Sequence, residues 1–182
     1  MQTDLVQRAQ DGDEQAFASL VVAVGNRLHA VAHRILRDTD LAEDATQQAL
    51  LAIWRDLPQL RDPQRFDSWS YRLLVRACYA EGRKSRSWAP NLRALPADEL
   101  AAGEGLSSVI DRDQLDRGFR RLSIDHRAVV VLHHYLDMTI DEVAQTLGVP
   151  LGTVRSRLHY AMRSLRSALE ADARPAAREV AR

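Results

Sequence analysis

Four arginines between residues 151 and 169 are the side chains of this chain best suited to bind a polyanion. They are Arg155, Arg157, Arg163 and Arg166, and no acidic residue occurs from Leu151 to Leu169. A guanidinium neutralises phosphate and can bind guanine through two parallel hydrogen bonds. The segment therefore predicts a nucleic-acid interface, and an ordinary solvated basic face is the alternative.

The elements that would position these arginines form a predicted helix-turn-helix over Thr139–Leu169. Thr139 and Glu142 are a capping-box pair, which predicts a helix start. Gly148 predicts the end of that helix, because glycine enters the left-handed conformation at low cost. A second apolar stripe follows at Val154, Leu158, Met162 and Leu165. A short helix, a glycine turn and a cationic helix together fit a major groove.

The charges of the chain are segregated along its length. The 182 residues carry 25 basic and 25 acidic side chains, so the formal net charge is zero. The stretch Asp38–Trp54 has acids and no base, whereas Phe66–Trp88 is mostly basic. A simple nucleic-acid binder is usually basic overall. The pattern therefore predicts one acidic protein-docking surface and two basic surfaces.

Helical periodicity extends over almost the entire chain and predicts an all-α fold of two small domains joined by a flexible linker. We expect a helical domain at 1–88, the linker at 89–107, a helix-turn-helix domain at 108–171 and a frayed tail at Asp172–Arg182. The first domain has four predicted helices. The first spans Asp4–Gln10, and the second begins after the N-cap Asp13 and ends at about Arg37. The third spans Leu41–Leu57 after the caps Asp40 and Glu43, and the fourth extends from Phe66 to about Ser87. The second has helices at Val109–Leu122 and, after the N-cap Ser123, at Ile124–Leu136.

Several functional classes are not favoured by this sequence. Cys78 is the single cysteine, and we expect it to be a small buried residue in a reducing compartment. No apolar run approaches the roughly 18 residues of a membrane span, so we expect a cytoplasmic protein without membrane insertion. His133 and His134 point about 100° apart on a helix and do not predict a metal site. We expect no catalytic residue, metal or cofactor, since no phosphate-binding glycine loop or nucleophile elbow is present.

The ordered motifs of the chain resemble those of the extracytoplasmic-function (ECF) RNA polymerase sigma factors of the sigma-70 family. Similarity to region 2 lies in GDEQAF (Gly12–Phe17), AHRILRD (Ala32–Asp38), LAEDATQQALLAIW (Leu41–Trp54) and FDSWSYRLLVR (Phe66–Arg76). Similarity to region 4 lies in Leu122–Arg166, which includes GTVRSRL. The resemblance implies a promoter-specificity subunit that binds core RNA polymerase (beta-prime and beta subunits) and promoter DNA, with an anti-sigma factor as a further partner.

The resemblance also implies roles for individual residues. Asp44, Gln47 and Gln48 would contact the beta-prime coiled coil, with glutamine at position 48 where the family often has glutamate. The −10 element would be opened and read by Trp69, Tyr71, Arg72, Arg76 and Arg83, although one of the two aromatic residues is expected in the core. The preceding loop, Leu60–Arg65, would pocket a flipped base. The −35 element would be contacted by Arg155, Ser156, His159 and Tyr160, with Arg157, Arg163 and Arg166 on or near phosphates.

Two other functions are compatible with a helix-turn-helix. The chain could be a repressor or activator that acts without polymerase, in which case the acidic Asp40–Trp54 helix would have no need to bind it. It could also be an antagonist of other sigma factors, which would not need the basic face of Leu151–Leu169.

Overall fold

The computed structural model describes residues 2–88 and 115–179, and the side chains of 2–85 and 115–170. The described residues are helical, with no β-strand among them, which confirms the all-α prediction. They divide into two compact units, the first built on the first four helices and the second on most of the residues after 114. The predicted linker at 89–107 lies outside the described residues, and the exact domain boundaries stay a prediction.

The first unit is a bundle of four helices. They are α1 (Gln2–Gln10), α2 (Glu14–Leu36), α3 (Thr39–Asp56) and α4 (Phe66–Trp88), with short 3-10 turns at Leu57–Gln59 and Pro63–Arg65 between α3 and α4. Helix α3 packs against both α2 and α4. The core is formed by large apolar side chains that include Val6, Leu20, Leu28, Ile35, Ile53, Phe66 and Leu74. Packing of these apolar faces is the main source of helix stability in such a bundle.

The capping residues of α2 and α3 only partly match the sequence prediction. Asp13 caps α2 as predicted, and its Oδ1 accepts a hydrogen bond from the Ala16 amide at 2.9 Å. Helix α3 begins earlier than predicted, because its N-cap is Asp38 and not Asp40. Arg37 adopts the left-handed conformation with φ 60°, and this turn brings the extended Asp38 into position to accept from the Leu41 amide.

The second unit contains a helix at 115–121, here α5, followed by α6 (Ile124–Val130) after the N-cap Ser123. The predicted helix Ile124–Leu136 widens into a π-turn at Val131–Tyr135. The wider turn is closed by the Leu136 amide, which donates to the Val131 carbonyl at 3.2 Å. The predicted start at Val109 lies outside the described residues.

Helices α7 (Ile140–Leu147) and α8 (Leu151–Glu179) follow the predicted helix-turn-helix. The Thr139 amide donates to the Glu142 carboxylate at 2.8 Å, and the Glu142 amide donates to the Thr139 hydroxyl at 3.2 Å. The capping box is therefore confirmed, and the hydrogen bonds that Thr139 donates lower the pKa of the Glu142 carboxyl. Gly148 has φ 67°, the left-handed conformation that was expected of it.

The buried stripe of α8 differs from the prediction at one position. Ala161 is fully buried, whereas Met162 is exposed. With 3.6 residues per turn, a residue seven positions along a helix returns to the same face, and a residue eight positions along is displaced by about 80°. The core-facing stripe is therefore Val154, Leu158, Ala161, Leu165 and Ala168.

The segment from Asp172, which was predicted to be a frayed tail, is helical as far as Glu179, where α8 ends. Its alanines and arginines have high helix propensity and favour continuation, despite Pro175.

Cys78 is fully buried as predicted, and burial raises the pKa of its thiol to about 12. None of the helices within residues 2–88 and 115–179 has the length and hydropathy required to cross a bilayer.

Candidate nucleic-acid and protein interfaces

One exposed face of α8 carries most of the residues predicted to contact the −35 element. Arg155, Ser156, His159, Tyr160, Arg163 and Arg166 are all exposed. At about 100° per residue these six positions lie on the side of the helix opposite the buried stripe. The burial of Val154 and Ala161 therefore orients the polar face outward. A convex cationic helix of this kind can enter a major groove.

Arg157 lies apart from this face. It is half-buried, and its Nη2 is 3.2 Å from Oδ1 of Asp125 on α6. Its angular position on α8 is next to the core-facing stripe, which explains why it contacts α6. The prediction that Arg157 lies near a phosphate stays a prediction, and in this structure the side chain joins two helices of its own unit.

Tyr160 is the most exposed aromatic side chain of the α8 face, at 61%. Its ring centroid lies 6.1 Å from that of His159 and 6.4 Å from that of His126. His126 follows the N-cap Ser123, and the sequence pattern gave no reason to place it at this surface. The three rings form a surface beside the arginines that can pack on sugar or base edges.

Helix α4 brings four of the five predicted −10 residues onto one face. Trp69, Arg72, Arg76 and Arg83 fall within an arc of about 60° at 100° per residue. Arg76 and Arg83 are exposed, and Trp69 and Arg72 are half-buried. Cationic side chains beside an indole can stabilise unstacked bases by charge and by stacking.

Tyr71 is the aromatic residue that belongs to the core, as was expected of one of the two. It is 4% exposed, and the guanidinium carbon of Arg27 on α2 lies 5.7 Å from the centre of its ring. Arg27 Nη2 also donates to Oδ1 of Asp67 at 2.6 Å. Tyr71 therefore packs within the bundle, and the −10 role predicted for its ring has no support from its position.

The outward face of α3 is acidic at its start and apolar at its end. Asp40, Asp44 and Gln47 are exposed, and so are Leu51 at 68% and Trp54 at 46%. The Trp54 ring meets the Phe17 ring of α2 in an edge-on contact with centroids 4.5 Å apart. Sequence reasoning missed Leu51 and Trp54, although their spacing of four and seven residues from Gln47 places them on the same face.

Gln48 points toward α4 and not along this outward face. It is half-buried, and its amide donates to the Glu81 carboxylate, which also lies 2.7 Å from Nζ of Lys84. Glu81 is a buried acid that sequence reasoning did not identify. The hydrogen bonds from Lys84 and from Gln48 hold the pKa of the Glu81 carboxyl below its ordinary value.

The described residues present one acidic helical face and two basic helical faces, an arrangement suited to a protein that binds both DNA and another protein. The family model of sigma-70 region 2 matches residues 20–88, and that of sigma-70, region 4 matches residues 118–167. The two models together span more than half of the chain. The chain therefore belongs to the sigma-70 family.

Individual relatives agree with this assignment. The ECF RNA polymerase sigma-E factor of Escherichia coli strain K12 is 28% identical over 175 residues, which cover 88% of this chain and 90% of that protein. The RNA polymerase sigma-H factor of Pseudomonas aeruginosa is 26% identical over 183 residues, covering 91% and 92%. The fold of the chain is similar to that of the sigma factor RpoE of Bartonella quintana, solved in complex with the anti-sigma factor NepR, with a TM-score of 0.68 and 22% identity over 86% of this chain and 98% of that chain.

The chain is an RNA polymerase sigma factor of the extracytoplasmic-function type. The presence of both regions in this order distinguishes it from a repressor that acts without polymerase. The basic face of α8 is also a feature that a pure antagonist of other sigma factors would not need.

Proposed function

We propose that the outward face of α3 binds the beta-prime subunit of core RNA polymerase. The observation that carries this proposal is the single row formed by Asp44, Gln47, Leu51 and Trp54, all exposed while the opposite side of α3 is buried. Exposed apolar side chains beside acids are typical of a docking surface, in which charge directs the approach and buried apolar area provides affinity. Gln48 contributes to this surface by holding α3 against α4.

Helix α4 and the loop before it would open and read the −10 element. Arg76 and Arg83 are exposed and can meet the DNA backbone, and Trp69 and Arg72 lie beside them. Melting requires bases to leave the stack and to be held by aromatic and cationic side chains. The exposed polar side chains of the loop are suited to hydrogen bonds with a base edge.

Helix α8 would read the −35 element through its first turns. Arg155 and Ser156 lie at the end of the helix that enters a groove in a helix-turn-helix, with His159 one turn further. Arg163 and Arg166 lie two to three turns along the same face and are suited to phosphate contacts, which set register without reading sequence. The proposed flexible linker at 89–107 would allow the α4 face and the α8 face to bind separate promoter elements.

An anti-sigma factor is proposed as a regulator, since the similar RpoE of Bartonella quintana is held by one. The chain would act in the cytoplasm as a binding subunit, and phosphodiester chemistry would belong to the polymerase.

Run-off transcription tests the proposed function directly. Purified core polymerase would be supplied with genomic promoter fragments, with and without this chain. New transcripts with defined starts are expected only when the chain is present. Binding of the chain to core polymerase without any new transcript would contradict the proposed promoter function.

A further inference from the structure

Helix α1 is hydrogen-bonded at one end to the start of the loop between α3 and α4, and at its other end to the first turn of α4. Nε2 of Gln10, the last residue of α1, lies 3.0 Å from the Leu57 carbonyl oxygen and 2.7 Å from the Leu60 carbonyl oxygen. At the other end of α1, Nε2 of Gln2 donates to Oδ1 of Asp67 at 2.8 Å. Two glutamine amides therefore fasten the beginning and the end of the segment 57–67 to one helix.

The two carbonyls bound by Gln10 belong to the segment where α3 ends and the loop begins. Carbonyls at a helix C-terminus have no partner in the next turn and need one elsewhere. The Leu57 amide still closes the last turn of α3 on the Ile53 carbonyl. Beyond that turn, the Leu60 amide donates to the Leu57 carbonyl at 3.1 Å, and Gln10 supplies a second donor to the same oxygen. The Gln10 side-chain amide therefore donates to two backbone carbonyls in this half of the loop.

The loop presents polar side chains beyond these anchors. Leu57 is buried, whereas Gln59, Arg61, Gln64 and Arg65 are exposed. The backbone amide of Gln64 donates to Oδ1 of Asp62 at 3.0 Å, so the second half of the loop is stabilised by a hydrogen bond within the loop. The exposed amide and guanidinium groups are the donors and acceptors with which a protein binds an unpaired base.

We propose that Gln10 is a positioning residue for promoter reading, and this inference rests on the proposed function of the chain. By holding the Leu57 and Leu60 carbonyls, Gln10 sets where Gln59 and Arg61 meet a base that has left the −10 stack. Gln10 itself touches no DNA. Its loss changes base preference at the −10 element, while the α3 face and the α8 face keep their partners.

The test is a selection with holoenzyme on fork-junction DNA whose single-stranded −10 segment is randomised. Gln10→Glu replaces the two N–H donors with a carboxylate, which only accepts hydrogen bonds and therefore cannot pair with the two carbonyl oxygens. Gln10→Met removes the donors without adding charge. Both variants are expected to bind the sequence selected by the wild type about tenfold more weakly and to lose its base preference. Gln10→Lys keeps donors at this position and is expected to keep the preference.

Gln7 offers a matched control on the same helix, because it is exposed. Gln7→Glu and Gln7→Lys make the same charge changes and should stay within about twofold of the wild type. Circular dichroism and capture of core polymerase should be unchanged in every variant. Wild-type base preference in both Gln10→Glu and Gln10→Met would overturn the inference. A wild-type holoenzyme that selects no −10 sequence would instead contradict the proposed function on which it rests.

Discussion

Gln48 on α3 donates its side-chain amide to the carboxylate of Glu81 on α4. Glu81 is only 4% exposed, and its carboxylate also lies 2.7 Å from Nζ of the exposed Lys84. A buried carboxylate needs hydrogen-bond donors, and a glutamate at position 48 would place a second negative charge beside Glu81 in a partly buried site. The pair therefore gives a physical reason for glutamine at position 48, where the resemblance to ECF sigma factors leads one to expect glutamate.

Gln48→Glu is expected to lower the free energy of unfolding by about 1–3 kcal/mol, because it replaces a donor with a second acceptor beside Glu81. The exchanged pair Gln48→Glu with Glu81→Gln restores an amide–carboxylate hydrogen bond in the opposite direction. It should recover most of the loss, except for the Lys84 ion pair, worth about 0–1 kcal/mol. Urea denaturation of Gln48→Glu, Glu81→Gln and the double variant measures this, and additive losses in the double variant would contradict the pairing.

The same carboxylate should contribute to the pH dependence of stability. Hydrogen bonds from Lys84 and Gln48 lower the pKa of Glu81 below its ordinary value of 4.5. The folded chain then binds this proton more weakly than the unfolded chain, so the stabilisation is complete above about pH 4.5 and is lost as pH falls further. Glu81→Gln should lack this component, whereas Glu43→Gln on the exposed side of α3 should keep it. Equal pH profiles for the wild type and Glu81→Gln between about pH 7 and pH 3 would refute the assignment.

The α3 docking face predicts a selective loss of polymerase binding. Asp44→Arg with Gln47→Arg reverses the charge of the row beside Leu51 and should weaken capture of core polymerase without changing the helical content. Asp4→Arg with Gln7→Arg makes an identical change at two exposed positions of α1 and is the matched control. Equal capture of core polymerase by both double variants would rule out the docking assignment.

Two arginines of α8 should differ in what they contribute to −35 binding. Arg155 lies in the first turns, and loss of a guanine contact costs about 1–3 kcal/mol and relaxes preference at one base. Arg166 lies three turns further, and loss of a phosphate contact weakens all sequences alike and lowers the salt slope by about one unit. Selection from randomised −35 duplexes should therefore change for Arg155→Ala and not for Arg166→Ala. An unchanged preference for Arg155→Ala would leave Ser156 and His159 as the residues to test.

The glycines that flank the helix-turn-helix junction should respond oppositely to alanine. Gly148 has φ 67° and open space where a methyl group would lie, so Gly148→Ala meets no neighbour but costs about 1–2 kcal/mol of backbone strain. Gly152 lies in the first turn of α8, also in open space and without a positive φ. Gly152→Ala should therefore be neutral or stabilising by up to about 1 kcal/mol. Thermal unfolding of the two variants distinguishes them, and similar shifts would count against the left-handed turn.

Local rules were sufficient for the features of this protein that depend on neighbouring residues. Thr139 and Glu142 are three positions apart, so their reciprocal hydrogen bonds depend on backbone geometry that any helix start provides. The same is true of the Gly148 turn and of the Asp13 cap. The acid-only composition of residues 38–54 likewise predicted an exposed acidic helix, because charged side chains without partners stay in water.

Features that join distant parts of the chain were decided only by tertiary packing. The sequence analysis left open which of Trp69 and Tyr71 is buried, and in the folded bundle the buried ring is Tyr71, which packs beside Arg27 of α2. The sequence grouped Arg157 with the other arginines of α8, and in the folded unit its guanidinium pairs with Asp125 of α6. Gln48 and Glu81 are 33 residues apart, and Gln10 and Leu60 are 50 apart. Each of these contacts depends on how two elements approach one another, and helical periodicity contains no information about that approach.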